Sequence, residues 1–233
     1  MRLKSLIFTI IIVLLTSNFA LAQPGERLEF DFWQVQYQMD DILETRLDSR
    51  EISGELDLEY DLAMKLSYQF WDQSQLDNNQ LEKFSLDTTK DFATKKDEKL
   101  AVGFGLDYYQ QTLDSPKIDL LQLEGKRLQL ILDLEKKLMP QINLFTRLKY
   151  GLYNDYQLSN SNYSDINYNG NTYNIKSGFK FKVASNLNAK VGYKLSQELL
   201  DRVDNQATII NDYNLSQFSQ LQHGLFLGLE TRF

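Results

Sequence analysis

The chain has 233 residues, a net charge of −7, 42% hydrophobic residues and no cysteine. An acidic chain without a concentrated basic segment excludes the electrostatic footprint of a nucleic-acid-binding protein. The lack of cysteine excludes disulfides, thiol catalysis and zinc–thiolate sites. We therefore expect no nucleic-acid partner, and we expect an extensive hydrogen-bonded sheet to supply the stability.

The first residues have the three parts of a secretory signal peptide. Arg2 and Lys4 precede an uncharged apolar run over residues 6–16, and Ala20 and Ala22 are small residues two positions apart. The apolar run is shorter than the roughly 20 residues that a helix needs to span a bilayer. The order of basic, apolar and small-residue segments predicts cleavage after Ala22. We predict a signal peptide over 1–22 and a single domain over 23–233.

After the signal peptide, apolar and polar residues alternate with a period of two. The longest example runs from Ile52 to Phe70, where every even position except Gly54 is apolar and most odd positions are polar. A period of two places each set on one face of a β-strand. Because this run is too long for one ordinary strand, it predicts two strands joined by a tight turn near 60–63.

The same alternation recurs along the rest of the chain. It covers the segments 100–108, 128–134, 142–152, 173–183, 187–195 and 221–233. Near the start, the apolar residues change from even positions, ending at Phe32, to odd positions, beginning at Trp33. This change predicts a β-bulge in the first strand. This pattern indicates an all-β protein.

The connections between the predicted strands are alternately short and long. Short joins lie near 60–63, 135–140 and 184–186, and long polar ones at 72–98, 154–170 and 197–218. This is typical of a transmembrane barrel, whereas a soluble β-sandwich, which also buries one face, remains the alternative. We predict a single transmembrane antiparallel up-and-down barrel of about ten strands, with eight or twelve as alternatives. The predicted strands lie near 28–39, 51–60, 63–71, 98–109, 117–124, 126–134, 141–153, 171–183, 187–196 and 219–233.

The last strand has a recognisable ending. Leu225, Leu227 and Leu229 alternate toward the terminal Phe233, with Thr231 at a position that is usually aromatic or apolar. This ending resembles the assembly signal of outer-membrane β-barrel proteins of diderm bacteria, in the small, porin-like class. The resemblance implies a location in the bacterial outer membrane, contact with its lipid, and recognition by the barrel-assembly machinery and periplasmic chaperones during biogenesis. We expect a monomer.

If the apolar face meets lipid, the polar face lines the lumen. The predicted lumen contains a basic cluster of Arg147, Lys149, Lys176, Lys180, Lys182, Lys190 and Lys194. A three-residue turn at 184–186 would place Lys180 opposite Lys190 and Lys176 opposite Lys194, and opposed like charges are unfavourable unless something neutralises them. One interpretation is an anion path or a site for an acidic solute. The favoured one is internal pairing in a narrow, side-chain-filled lumen, with Glu55, Asp57, Glu59 and Glu230 as the acidic partners.

Groups that might support catalysis are few. His223 is the only histidine, its parity places it on the lipid side, and Leu225 stands where a His-x-Ser pattern would need serine. Asp40 and Asp41 have the residue type of an aspartyl protease but are expected to be solvated loop carboxylates. We predict no catalytic residue, no cofactor and no metal.

Three functions follow from this pattern, in descending order of expectation. The first is a non-enzymatic barrel with a structural or narrow-pore, porin-like role in solute passage. The second is a surface interaction or adhesion protein that uses long polar extracellular loops. The third, a lipid- or peptide-hydrolysing barrel enzyme, is the least expected.

Overall fold

The computed structural model describes residues 26–40, 43–72, 79–95, 97–115, 118–160, 163–203, 209–210, 213–214 and 216–233. The predicted signal peptide at 1–22 lies outside these residues. Over them the chain forms twelve β-strands: β1 (Arg27–Met39), β2 (Leu43–Asp57), β3 (Leu62–Asp72), β4 (Gln80–Lys95), β5 (Glu98–Ser115), β6 (Ile118–Met139), β7 (Ile142–Asn160), β8 (Tyr163–Lys182), β9 (Leu187–Arg202), β10 (Ile209–Ile210), β11 (Tyr213–Asn214) and β12 (Gln217–Arg232).

Ten of these strands form a closed antiparallel barrel. Each of β1 to β9 pairs with its neighbour in the chain, β9 pairs with β12, and β12 returns to β1, while β10 and β11 form a separate small hairpin. The seam pairs Arg27 with Arg232 and Met39 with Gln220. Closure leaves no open edge, so the backbone groups at membrane depth can be satisfied within the sheet. The predicted ten-stranded up-and-down barrel is confirmed.

Both described termini and the turns after β2, β4, β6 and β8 lie at one end of the barrel, which we call the inner end. A one-turn 3-10 helix, Glu59–Asp61, makes the first of these turns, with Tyr60 and Asp61 at positive φ. The tight turn predicted near 60–63 is therefore present, one to two residues earlier.

In the described part of the chain, no helix is both long and apolar enough to cross a membrane.

The predicted strand count is right, but two of the predicted elements are wrong. β4 occupies most of the segment 72–98, which we predicted to be a long loop, and the predicted strands at 117–124 and 126–134 are parts of the single strand β6. β4 resembles a loop because polar residues dominate its sequence, among them the charged Lys83, Asp87 and Asp91. These three residues lie at the lumen-facing odd positions, where they line the cavities of the lumen, while Phe84, Leu86 and Phe92 lie at the even positions.

The predicted bulge in the first strand is also wrong. β1 pairs with β2 without interruption, from Arg27 opposite Glu55 to Met39 opposite Leu43. Trp33 and Met39 point into the lumen with the same parity as Asp31, and all three are buried. The backbone pattern is thus continuous, and only the chemistry of the inward face changes along the strand.

This change divides the barrel into two zones. In the inner zone the outward face is apolar, and its exposed side chains form a band typical of lipid contact: Phe30, Phe32, Leu66, Leu86, Phe104, Leu106, Leu128, Leu130, Leu134, Phe179, Leu225, Leu227 and Leu229. In the outer zone the outward face is polar and the inward face is largely apolar, although Gln111 and Gln220 are also buried there. The strands there have the pattern of an ordinary water-soluble β-structure.

Strand length explains how both zones fit on one barrel. β3 has 11 residues, close to the roughly 9–11 that cross a bilayer. β6, β7 and β8 have 22, 19 and 20 residues. The residues of these strands beyond the length that crosses a bilayer lie largely at the outer end. They include segments such as 154–160 and 163–170, which we predicted to be loop. We call the outer parts of β5 to β8 the outer wall.

Candidate functional site

The lumen of the inner zone is filled by ion pairs, which we call the charged layer. On β1, the Glu29 carboxylate accepts hydrogen bonds from Lys65 and Lys176, each at 2.8 Å, and also contacts Lys190. Asp31 contacts Lys176 and Lys190 as well. Since these lysines belong to β3, β8 and β9, the pairs tie the first strand to the walls beside and across from it. A Cβ at Gly228 would overlap the Asp31 carboxylate, so the glycine makes room for this cluster.

A second group of ion pairs lies on the opposite wall. Arg147 binds Asp133 through two N–H donors, at 2.6 and 2.5 Å, a bidentate geometry that fixes both side chains. Lys149 donates to Asp87 at 2.8 Å and lies 4.0 Å from Asp107. These contacts connect β7 to β6, β4 and β5.

Arg127 marks the outer limit of the charged layer. Its guanidinium is 2.5 Å from Glu198 and 3.3 Å from Asp107, and it stacks 5.0 Å from the ring centre of Tyr109. The Arg127 side chain is 2% exposed. Lys83 also pairs with Asp107, at 2.9 Å. An arginine this deep is stable only because carboxylates surround it.

The predicted basic cluster lies in this layer, apart from one member. Lys180 stands opposite Lys190 and Lys176 opposite Lys194, the register that the turn after β8 implied. Among the predicted members, Arg147, Lys149, Lys176, Lys180, Lys190 and Lys194 all have a carboxylate within ion-pair distance. Lys182 is instead exposed at the inner rim.

The acidic partners differ from those we expected. Of the four predicted, only Glu230 pairs with the basic cluster, at 3.0 Å from Lys180. Glu55 and Asp57 both pair with Arg27 instead, at 2.7 and 2.9 Å. Glu59 is exposed in the turn after β2, because the strand has ended before it. Sequence reasoning missed the actual partners, which are Glu29, Asp31, Glu51, Asp87, Asp107, Asp133 and Glu135.

Strand parity carried a signal for these partners. Glu29 and Asp31 are at the odd positions of β1, opposite the lipid-facing Phe30 and Phe32, and Asp133 and Glu135 alternate with the outward Leu132 and Leu134. The even–odd rule that selected the lysines therefore also selects these carboxylates. Asp87 could not be found in this way, because its segment was read as a loop.

Above Arg127 the lumen is closed by apolar side chains, which we call the outer core. Its buried members are Val35, Tyr37, Met39, Leu47, Trp71, Leu81, Tyr109, Leu113, Leu121, Leu123, Tyr156, Leu158, Ile166, Tyr168 and Leu200. Tyr37 packs edge-on against Trp71 at 5.5 Å, and Tyr109 against Tyr156 at 5.7 Å. Trp33 and Phe226 continue this cluster down to the charged layer, where lysines lie over both rings.

Three cavities that the described residues line lie between the side chains of the charged layer. One of them, the vestibule, is about 110 Å³ and lies toward the inner end. The middle cavity is about 50 Å³ and shares Lys65, Arg147 and Lys176 with the vestibule. The third is about 10 Å³, room for roughly one water, and touches Arg127 and Glu198 beneath the outer core.

The remaining predicted residues lie outside the lumen. His223 faces outward on β12, and its Nδ1 is 2.7 Å from the hydroxyl of Tyr193 on the neighbouring strand. Asp40 accepts hydrogen bonds from the backbone N–H and the hydroxyl of Ser219, which joins the end of β1 to β12. Asp41 lies outside the described residues. Leu225, Leu227 and Leu229 point toward lipid, and the N–H of Phe233 donates to the Glu26 carbonyl at 3.0 Å.

No protein-family model and no curated protein matches the chain. Among solved structures, the chain is similar to the outer membrane protease OmpT from Escherichia coli, with a TM-score of 0.53 and 10% identity over 90% of this chain and 94% of that one. It is also similar to the translocator domain of autotransporter NalP from Neisseria meningitidis (TM-score 0.48, 8% identity, 99% and 96% covered). Neisserial surface protein A gives a TM-score of 0.40 and 14% identity, with 90% and 97% covered.

At such identities, the similarity to OmpT concerns the fold and leaves the activity open. The closed ten-stranded antiparallel barrel and its apolar outward band define the chain as a β-barrel of the outer-membrane type. Together they support a location in a bacterial outer membrane.

Proposed function

We propose that the protein is a non-conducting, non-enzymatic outer-membrane barrel that presents its outer wall to a partner at the cell surface. The inner zone anchors the chain in lipid, and the outer zone stands above the membrane as a rigid β-structure. Of the two roles first expected, the closed lumen favours a structural role over solute passage.

The observation that carries this proposal is the outer core. An aqueous pore needs a continuous polar path, and an apolar constriction excludes water and ions. Here Val35 and Tyr37 of β1 and Leu121 and Leu123 of β6 are fully or almost fully buried in one cluster across the lumen. Beneath them, the carboxylates and amines of the charged layer bind one another. Passage of a small ion would require the outer core to open, and passage of a larger solute would require both layers to rearrange.

The outer wall supports a role in surface interaction. Its outward-facing side chains are polar, as in Gln122, Glu124, Asp155, Asn167 and Asn169, and they lie on paired strands rather than on loops. A paired strand is already ordered before it meets a partner, so binding loses less conformational entropy than binding by a free loop. The surface function first assigned to long loops is therefore proposed for strands.

The position of His223 supports the non-enzymatic part of the proposal. A general base needs a cleft and an orienting group within hydrogen-bond reach. His223 lies on the outward side of the barrel wall, and its hydrogen-bonding neighbour is the Tyr193 hydroxyl rather than a carboxylate. That environment suits an aromatic girdle residue at the membrane boundary.

Conductance in a planar bilayer tests the proposal. We expect the purified barrel to insert without discrete opening events, because the outer core blocks the lumen. As a control, a variant with Tyr37→Ser, Leu123→Ser and Leu158→Ser removes apolar bulk from three strands and is expected to raise the conductance. Reproducible ohmic channels in the unmodified protein would overturn the proposal.

A further inference from the structure

We propose that the middle cavity of the lumen binds a small inorganic oxyanion, of the phosphate or sulfate class, that enters from the inner end. The site is distinct from the surface role, since it lies within the charged layer and below the outer core. It is assembled by side chains from β2 to β4 and from β7 to β9.

The charge of the lining points to an anion. The cavity is lined by six basic and two acidic side chains: Lys65, Lys83, Arg147, Lys149, Lys176, Lys194, Glu51 and Asp87. Both carboxylates have cationic partners: Glu51 has Lys194 at 2.8 Å, and Asp87 has Lys149 at 2.8 Å on one oxygen and Arg147 at 3.5 Å on the other. Gathering cations in a low-dielectric lumen is unfavourable unless negative charge is near. Four of the cations are paired with carboxylates outside the lining: Lys65 and Lys176 with Glu29, Lys83 with Asp107, and Arg147 with Asp133. A bound anion would add negative charge within the cavity itself, where basic side chains outnumber acidic ones.

Three of the lysines that line the cavity, Lys83, Lys149 and Lys194, retain hydrogen-bond capacity. Each ammonium group has three N–H donors. Lys83 has one carboxylate partner, Asp107, at 2.9 Å. Lys194 donates to Glu51 and to the side-chain Oε1 of Gln69, at 2.8 and 3.3 Å. Together with Lys149, these groups bring unused donors from β4, β7 and β9 to one place, which is the arrangement that a tetrahedral oxyanion accepts.

Neutral donors complete the lining. Ser67 and Ser85 are directly opposite each other on β3 and β4, and each is more than nine-tenths buried. The Asn174 Nδ2 is buried, lines the cavity and has no hydrogen-bond partner within the described residues. A buried amide donor without a partner is unfavourable, and a ligand oxygen that accepted its hydrogen bond would relieve that cost.

Size and access agree with this ligand class. The cavity, at about 50 Å³, has several times the roughly 10–15 Å³ that one water needs by the same measure. The adjoining vestibule reaches Asp91 and Lys99, whose side chains are 32% and 43% exposed near the inner end. An ion can thus reach the cavity from the inner side, while the outer core closes the other side.

Tryptophan fluorescence can report binding, because the chain has two tryptophans and both lie in the lumen. The Lys194 Nζ lies 4.5 Å from the ring centre of Trp33, so an anion beside Lys194 should alter the emission of Trp33. A Trp71→Phe background isolates that signal. The folded barrel in neutral detergent is titrated with sodium phosphate and separately with sodium sulfate, and with sodium chloride at matched ionic strength.

We expect a saturable emission change with at least one of the two oxyanions and none with chloride. Lys83→Gln should weaken binding by about tenfold or more, the effect of one charged hydrogen bond. Ser85→Ala, which perturbs the fold little, should weaken it several-fold, whereas Ser53→Ala, a buried lumen serine outside the cavity lining, should not. Heat-modifiable mobility checks that each variant is folded. A non-saturable response, or equal responses in Ser85→Ala and Ser53→Ala, would overturn the proposal.

Discussion

The inner and outer halves of the lumen are built on the same ten strands with the same parity, yet their chemistry is opposite. The inner half contains ion pairs such as Lys176 with Asp31, and the outer half contains Leu121, Leu123 and other apolar residues. The outward faces differ in the opposite sense, from leucine and phenylalanine to glutamine, asparagine and charged residues. The surroundings of the strand explain the difference, because lipid selects an apolar exterior and water selects a polar one.

This comparison shows that a strand can pass from lipid into water, and carry different side chains on its inward face, without a change in its backbone pairing. β1 carries Glu29 and Asp31 inward and then Trp33, Val35 and Tyr37 inward, in one uninterrupted register. Energetically, the two halves are held by different forces. The outer core depends on apolar burial, and the charged layer depends on every charge keeping its partner.

The largest effect is expected where the halves meet. Arg127→Met should destabilise the barrel by about 3–5 kcal/mol, because it leaves the buried Glu198 carboxylate without its cation. Adding Glu198→Gln should recover part of the loss. Urea unfolding of the folded barrel in lipid vesicles, followed by tryptophan fluorescence, measures both.

Arg46→Met provides the matched control for that prediction. Arg46 is exposed on the outward face of β2, and its replacement should change stability by no more than about 0.5 kcal/mol. Equal losses for Arg46→Met and Arg127→Met would contradict the assignment of Arg127 to a dry, paired position.

The second effect compares one residue type in the two settings of β6. Leu123→Ala should cost about 2–5 kcal/mol, because it leaves a cavity in the outer core. Leu130→Ala should cost less, since Leu130 faces lipid and acyl chains can fill the space. The same unfolding experiment measures the difference, and a larger loss at Leu130 would mean that the outer core is loosely packed.

A third prediction tests where the lipid band ends. Leu130→Arg should cost about 2–4 kcal/mol if it lies near the bilayer midplane, whereas Gln122→Arg, also outward on β6, should cost no more than about 0.5 kcal/mol. The comparison is made by unfolding from lipid vesicles. If the two arginines cost the same, β6 would not leave the membrane between residues 122 and 130.

The smallest perturbation tests orientation. Because the chain has no cysteine, Asn167→Cys creates a single thiol on the outer wall, and Lys137→Cys creates one at the inner rim. Intact cells treated with a membrane-impermeant maleimide should label Asn167→Cys, and Lys137→Cys only after the outer membrane is permeabilised. If only Lys137→Cys were labelled in intact cells, the barrel would have the opposite orientation in the membrane.

Alternation was enough to predict the fold class and the apolar outward side, and the three-residue turn at 184–186 predicted the register of Lys180 with Lys190. These features depend only on parity and turn length, which are local. The count of ten strands was also right, although two errors offset each other: β4 was missed, and β6 was divided in two. Both errors arose because a strand was expected to have an apolar exterior along its whole length.

The outer core could not be predicted from parity alone. Tyr156 and Ile166 are buried, but they lie in a stretch rich in Asn, Asp and Ser, which is typical of a loop in a short-stranded barrel. Only the pairing of Tyr156 with Tyr168 shows that the stretch is a hairpin around an apolar core. The pairs of the charged layer were equally hidden, because partners such as Lys176 and Glu29 are 147 residues apart and meet across the lumen.

The central claim is that β6 keeps one alternation of inward and outward residues while its surroundings change from lipid to water. The lumen beside its inward residues therefore stays closed to water. Spin labels at Leu123, Glu124 and Leu130 test this most directly, through their accessibility to oxygen in lipid and to a water-soluble nickel chelate. We predict that Leu130 is accessible to oxygen, Glu124 to the chelate, and Leu123 to neither. Access of the chelate to Leu123 as complete as to Glu124 would contradict the claim, because it would place water where the outer core should be.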